Sequence, residues 1–158
     1  MRGILFWVCV LAVTVYLAVA AWEDYKTCEV TRWKHLIGGI PAIFLLCTRY
    51  HLYSWHENAL ILVYAMLFIL AGRIGVYGMA DGYVFMILTL FCGSIGGRAG
   101  IGAVILIMTV AGGSFLINHL AGCVAKKEKL FCNMASAFIP HILIGYVAIW
   151  IGVFEYVA

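Results

Sequence analysis

The chain has 158 residues, of which 66% are hydrophobic and 11% charged, with a net charge of +3. Soluble domains hold about 45–50% apolar and about 25% charged residues. No water-soluble fold of this length hides so much apolar surface, and a small positive charge gathered in two short loops is not a nucleic-acid footprint.

The hydrophobicity comes in six blocks, at approximately 4–22, 33–50, 58–76, 80–97, 100–124 and 134–154. Each approaches the roughly 20 apolar residues that carry a helix across a bilayer. The expected fold is all-α: a polytopic membrane protein, a single domain over 1–158, built as a bundle of six transmembrane helices. No linker, internal repeat or low-complexity segment divides it.

The first block follows Arg2 and contains Ala18-Val19-Ala20, a small-residue pattern of the kind found at signal cleavage sites. Its length of about 19 residues is long for a signal core, and cleavage would leave an odd number of helices, so it is read as a retained helix. Asp24 closes this block in Trp22-Glu23-Asp24-Tyr25-Lys26. The second and sixth blocks hold Pro41 and Pro140, the only prolines. Membrane helices tolerate proline because neighbours re-satisfy the freed carbonyls, so kinks are expected at both. Asp81 opens the fourth block in Gly78-Met79-Ala80-Asp81-Gly82. Gly93, Gly96, Gly97, Gly100, Gly102, Gly112 and Gly113 crowd the fourth and fifth blocks, where small residues let helices approach closely.

Six helices place the loops alternately on two sides. Lys26, Arg32, Lys34, Arg73, Lys126, Lys127 and Lys129 fall on one side, and Arg2, Arg49 and Arg98 on the other. Cytoplasmic loops carry the excess of Lys and Arg, so the first side is expected to face the cytoplasm. Trp22, Trp33 and Trp55 lie near helix ends, as interfacial anchors do.

Asp24 and Asp81 are the only aspartates in the chain. One follows the first helix and the other precedes the fourth, so the alternation puts both at the cytoplasmic face. An ionisable residue at membrane depth is costly, about 2.5–3.5 kcal/mol at a helix centre on insertion scales, and less near an end. Two facing carboxyls tend to share one proton. One then draws a proton from water while the other donates to the carbonyl oxygen of a peptide. The plainer alternative is that each aspartate caps a helix or pairs with a nearby cation, Lys26 for Asp24 and Arg73 for Asp81.

The segment Asp24-Tyr25-Lys26-Thr27-Cys28-Glu29-Val30-Thr31 resembles the first aspartate motif of the type IV prepilin peptidases, a GxGD-type family of intramembrane aspartic peptidases. Gly78-Met79-Ala80-Asp81 resembles the second motif, Gly-x-Gly-Asp, with Ala80 in place of the second glycine; Thr31 stands where proline is common. Ala137-Phe138-Ile139-Pro140-His141 resembles the proline-containing final helix. The resemblance spans nearly the whole chain, in order. It implies catalytic Asp24 and Asp81, with Lys26, Gly78 and Ala80 supporting the motifs, and no cofactor or metal. It implies a prepilin-like substrate, with a short basic leader ahead of a hydrophobic helix, cleaved at the cytoplasmic face of a bacterial inner membrane. Nothing in the sequence corresponds to the N-terminal methyltransferase domain of larger members, so the minimal, peptidase-only form is expected. Glu23, Glu29 and Glu128 are candidates to attract the leader.

Other constellations compete. His56-Glu57 begins a zinc-protease pattern whose second histidine is missing, because residue 60 is Leu; His56 reads as a solvated loop residue. Gly112-Gly113-Ser114 with His141 has the composition of a serine–histidine dyad but reads as helix packing. His35, His51 and His119 lie near helix ends without metal-ligand spacing. The six cysteines, Cys9, Cys28, Cys47, Cys92, Cys123 and Cys132, form no C-x-x-C pair and read as small hydrophobes. The rival function is a small proton- or cation-coupled transporter with Asp24 and Asp81 as relay groups; a relay calls for carboxylates near mid-membrane. A third reading, motivated by Ala80, is an inactive homologue of the peptidase.

Overall fold

A computed structural model describes residues 2–126 and 137–157, with side chains placed for 4–123 and 137–152. Lys127, Glu128, Lys129 and Cys132 lie outside the described residues, as do the first residues of the sixth apolar block. Six α-helices follow one another: α1 (Arg2–Thr27), α2 (Arg32–Arg49), α3 (Trp55–Arg73), α4 (Met79–Gly96), α5 (Arg98–Lys126) and α6 (Ile139–Val157). A single 3-10 turn, Tyr50–Leu52, separates α2 from α3. The chain is an all-α polytopic membrane protein. By length and composition α1, α3, α4 and α5 suffice to cross a bilayer. Arg32, Lys34 and Arg49 make α2 more polar, and α6 contributes a shorter apolar stretch, Ile139–Gly152.

Several helix boundaries have a local cause. Ser54 starts α3 with a capping box: its Oγ accepts from Glu57 N at 3.3 Å, and Glu57 Oε2 accepts from Ser54 N at 3.1 Å. His56 is therefore in the first turn of α3, not in a loop as expected, and its ring lies 3.7 Å from that of Trp55, tilted by 34°. Gly97, at φ +55°, ends α4 in a conformation that favours glycine. Pro41 is inside α2. Pro140, expected to kink the last helix, instead sits in the first turn of α6, where a missing N–H leaves no helical bond unmade.

Helix α4 is the centre of the bundle: 61% of it is buried, against 33%, 17% and 28% for α1, α3 and α5. It packs on α2, α3 and α5, while α6 closes the ring between α5 and α1, and α1 returns to α2. In lipid, helices associate through close packing. A side chain at Gly93 would strike Ile61 of α3, one at Gly100 would strike the Cys92 carbonyl of α4, and one at Gly145 would come within 2.7 Å of the Ile107 carbonyl. The expectation of packing glycines holds at Gly93 and Gly100. It fails at Gly102, Gly112 and Gly113, where no atom of the described residues comes within 4 Å of an added Cβ.

Helices α1 and α4 scarcely touch one another. They stand across a cavity at the end of the bundle where α1, α3 and α5 finish and α2, α4 and α6 begin.

Candidate active site

Asp24 lies one turn before the end of α1 and is only 5% exposed. The loop that follows is fixed by its neighbours. Glu23 accepts hydrogen bonds from the Thr31 hydroxyl at 2.7 Å and the Thr31 amide at 3.3 Å, and pairs with Lys34 at 2.9 Å. Cys28 takes a left-handed φ of +54° to leave the helix, and its amide donates to the Asp24 carbonyl at 2.8 Å. Glu23, one candidate for attracting a basic leader, is thus committed to the start of α2. Glu29 is exposed and lines the cavity; Glu128 is outside the described residues.

The Asp24 carboxylate reaches the far end of the sequence: Oδ2 accepts from Ile139 N at 2.9 Å. The first amides of a helix have no intrahelical partner, and Asp24 satisfies one at the start of α6. Asp81, third residue of α4 and 9% exposed, turns back to accept from the Gly78 amide. A methyl group on Gly78 would sit 2.9 Å from Asp81 Oδ2, so the glycine leaves the carboxylate its place. Gly82 allows α4 to lie against α3, since a Cβ there would be 3.0 Å from the Phe68 carbonyl. Ala80 is an ordinary half-buried helical residue and carries no positive φ. The close approach in this motif therefore belongs to Gly78 and Gly82.

Both aspartates cap helices, as the plainer alternative held. The ion pairs it offered are not made. Among the described residues neither Asp24 nor Asp81 has a cation within salt-bridge distance, and Lys26 lies over the Trp22 ring at 4.4 Å instead. Lys26, expected to support the first motif, is not in the cavity wall. The Asp24 carboxyl thus takes backbone donors at the start of α6, from Ile139 and from the neighbouring Phe138.

The two carboxyls line one cavity of about 830 Å³, whose wall also includes His35, Gly78, Ala80, Tyr83 and Phe138. They are near enough to act on one another electrostatically. Tyr77, in the α3–α4 loop, donates its hydroxyl to the Phe68 carbonyl at 2.7 Å; burial, with the Asp81 charge beside it, pushes its phenol up to about 12. The arrangement is two hydrogen-bonded carboxyls, partly shielded from water, facing a space large enough for an extended stretch of peptide.

His35 is the residue that sequence reasoning passed over. Its position in the sequence assigns it only to a helix end near the membrane interface. In the fold it is 5% exposed, its Nδ1 is 2.6 Å from the Tyr16 hydroxyl, and it forms part of the cavity wall. The i to i+3 spacing of His35 and Gly38, which receives the Tyr16 ring, is visible in the sequence; their partner on α1 is not.

The competing constellations separate clearly. Ser114 Oγ and His141 Nδ1 do come together, at 2.8 Å. The Ala111 carbonyl, 3.0 Å from Ser114 Oγ, competes with the imidazole for the hydroxyl's one proton, which an activated nucleophile must give to its base. Neither residue lines the cavity. The pair ties α5 to α6. Glu57 is held by Ser54 and faces Arg98 at 3.9 Å, and the described residues contain no cluster of three metal-ligating side chains.

Fold and site together define a polytopic membrane protein with a buried carboxyl pair at one end of its helix bundle. No protein-family model, curated protein or solved structure matches the chain.

Proposed function

We propose that the protein is a membrane aspartic endopeptidase that removes the basic leader of a prepilin-like substrate at the cytoplasmic membrane face. The observation that carries this reading is that the chain's only two aspartates, on helices that scarcely touch, are both buried in the wall of one cavity. Buried carboxyls without a cation partner are expensive to keep, and perturbed titratable groups in a cleft mark functional sites.

In the proposed reaction the ionised carboxylate takes a proton from a water molecule, which attacks the scissile carbonyl carbon. The protonated carboxyl gives its proton to the carbonyl oxygen, and a gem-diol forms. Collapse breaks the C–N bond as the amine leaves with a proton from the first carboxyl, and the product acid returns one to the second. The backbone donors at the start of α6, Ile139 N among them, hold the Asp24 carboxyl in place through this cycle.

The position of both groups at helix ends, on the side that carries seven of the ten Lys and Arg residues, supports a leader peptidase over a mid-membrane relay. The bacterial inner membrane as location belongs to the same proposal. The test is cleavage of a co-expressed prepilin-like protein. Asp24→Asn and Asp81→Asn should each abolish it while the protein still inserts and accumulates; full activity in either removes the two-carboxyl mechanism. Reporter fusions at residue 75 should read cytoplasmic and at residue 53 external.

A further inference from the structure

Only two buried side-chain polar atoms lack a hydrogen-bond partner among the described residues, His35 Nε2 and Asn58 Oδ1. Asn58 is explained locally, because its Nδ2 donates to the Tyr50, Tyr53 and Ser54 carbonyls of its own turn. His35 has no such account. Tyr16, which holds its Nδ1, is outside the cavity wall, whereas His35 is part of it, with Nε2 buried at the opposite edge of the ring from Tyr16. Of the two groups the phenol is the better donor; with its O–H given to Nδ1, the imidazole carries its proton on Nε2. A buried N–H with nothing to donate to is therefore set in the wall that holds Asp24 and Asp81. Tyr83, also in that wall, lies with its ring 5.2 Å from the imidazole and tilted by 33°, and among the described residues no hydrogen bond to its hydroxyl is made.

We propose that His35 is a substrate-binding residue: with Tyr83 turned aside, Nε2–H donates to a backbone carbonyl of an extended peptide and fixes that peptide against the two carboxyls. The inference rests on the peptidase reading and adds to it a group outside both aspartate motifs. The bond forms in ground and transition states alike, so its loss raises KM and spares kcat.

The experiment uses the full chain in detergent with a prepilin-like protein whose cleavage is lost in Asp24→Asn. Glutamine carries its amide nitrogen at the ε position of the imidazole, and asparagine at the δ position that faces Tyr16. His35→Gln should keep KM within about threefold, whereas His35→Asn and His35→Phe should raise it about tenfold, the cost of one hydrogen bond, with kcat little changed. A purely structural role would give the opposite order, with Asn rescuing and Gln failing, and would overturn the proposal. So would wild-type KM in all three. A second measurement does not need the variants to fold: in Asp81→Asn protein carrying ¹⁵N-histidine, adding the intact substrate should shift the His35 Nε2 resonance, and no shift overturns the proposal. Absence of any aspartate-dependent cleavage would instead strike the peptidase reading itself.

Discussion

The two ends of the bundle use polar residues in opposite ways. At the end where α3 begins, the polar side chains find their partners close at hand, with Asn58 Oδ1 the exception. Ser54 and Glu57 cap each other, Asn58 donates to three carbonyls of its own turn, Tyr53 donates to the Ile95 carbonyl, and Arg98 faces Glu57. None of these residues lines the cavity that holds the two aspartates. At the other end the polar groups reach across the fold. Asp24 meets Ile139 over 115 residues, Tyr16 meets His35 across two helices, and a cavity stays open between α1 and α4. Local satisfaction makes a stable helix start. Long-range satisfaction with groups left over makes a place where a substrate can bind.

Substitutions should separate the two ends, and the largest separation is at Asp24. Asparagine still caps a helix about as well as aspartate but cannot act as acid or base. Asp24→Asn should therefore lower cleavage by at least about a hundredfold, while the thermal midpoint in detergent stays near that of the parent. Asp24→Ala should lose activity and also about 1 kcal/mol of stability. If Asn restores activity, Asp24 is only a cap.

Gly78→Ala comes next. It would press a methyl group to 2.9 Å from Asp81 Oδ2 and should slow cleavage about tenfold, the rate equivalent of roughly 1.4 kcal/mol, with assays run at matched folded fraction. Ala80→Gly makes the contrast. Position 80 is helical and needs no positive φ, so the change should cost at most about 1 kcal/mol of helix stability and leave the rate per folded molecule within a fewfold. A much slower Ala80→Gly enzyme would show that the methyl group itself is needed beside Asp81.

At the opposite end, Ser54→Ala should remove about 1 kcal/mol of stability through the lost cap and leave kcat/KM unchanged. Ser114→Ala should likewise leave cleavage intact; its loss would revive the serine–histidine pair. The smallest effect is expected at Cys28, an exposed residue of the cavity wall with φ +54°. Cys28→Gly relieves a conformation that L-residues avoid and should be neutral to slightly stabilising. A bulky maleimide on the Cys28 thiol should block cleavage in the parent and not in Cys28→Gly.

The sequence by itself determined the class of protein and the number of helices. Six apolar blocks translate directly into six helices, because in lipid a backbone segment must satisfy its own hydrogen bonds. It also determined that Asp24 and Asp81 end up at the same end of the bundle, since alternation of the loops follows from the helix count alone. The last helix starts at Ile139, later than its apolar block suggests, because Pro140 suits a first turn and not a helix interior. What only the tertiary structure decided is which groups meet: that Asp24 caps α6, that Glu23 is taken by Thr31 and Lys34, that Lys26 turns away to Trp22, and that His35, held by Tyr16, shares a cavity wall with the carboxyls. Helical periodicity assigns a residue to a face and a level in the membrane. The partner at that level comes from another helix, and its identity depends on how the helices rotate and how closely their glycines let them approach, as Gly38 does for Tyr16.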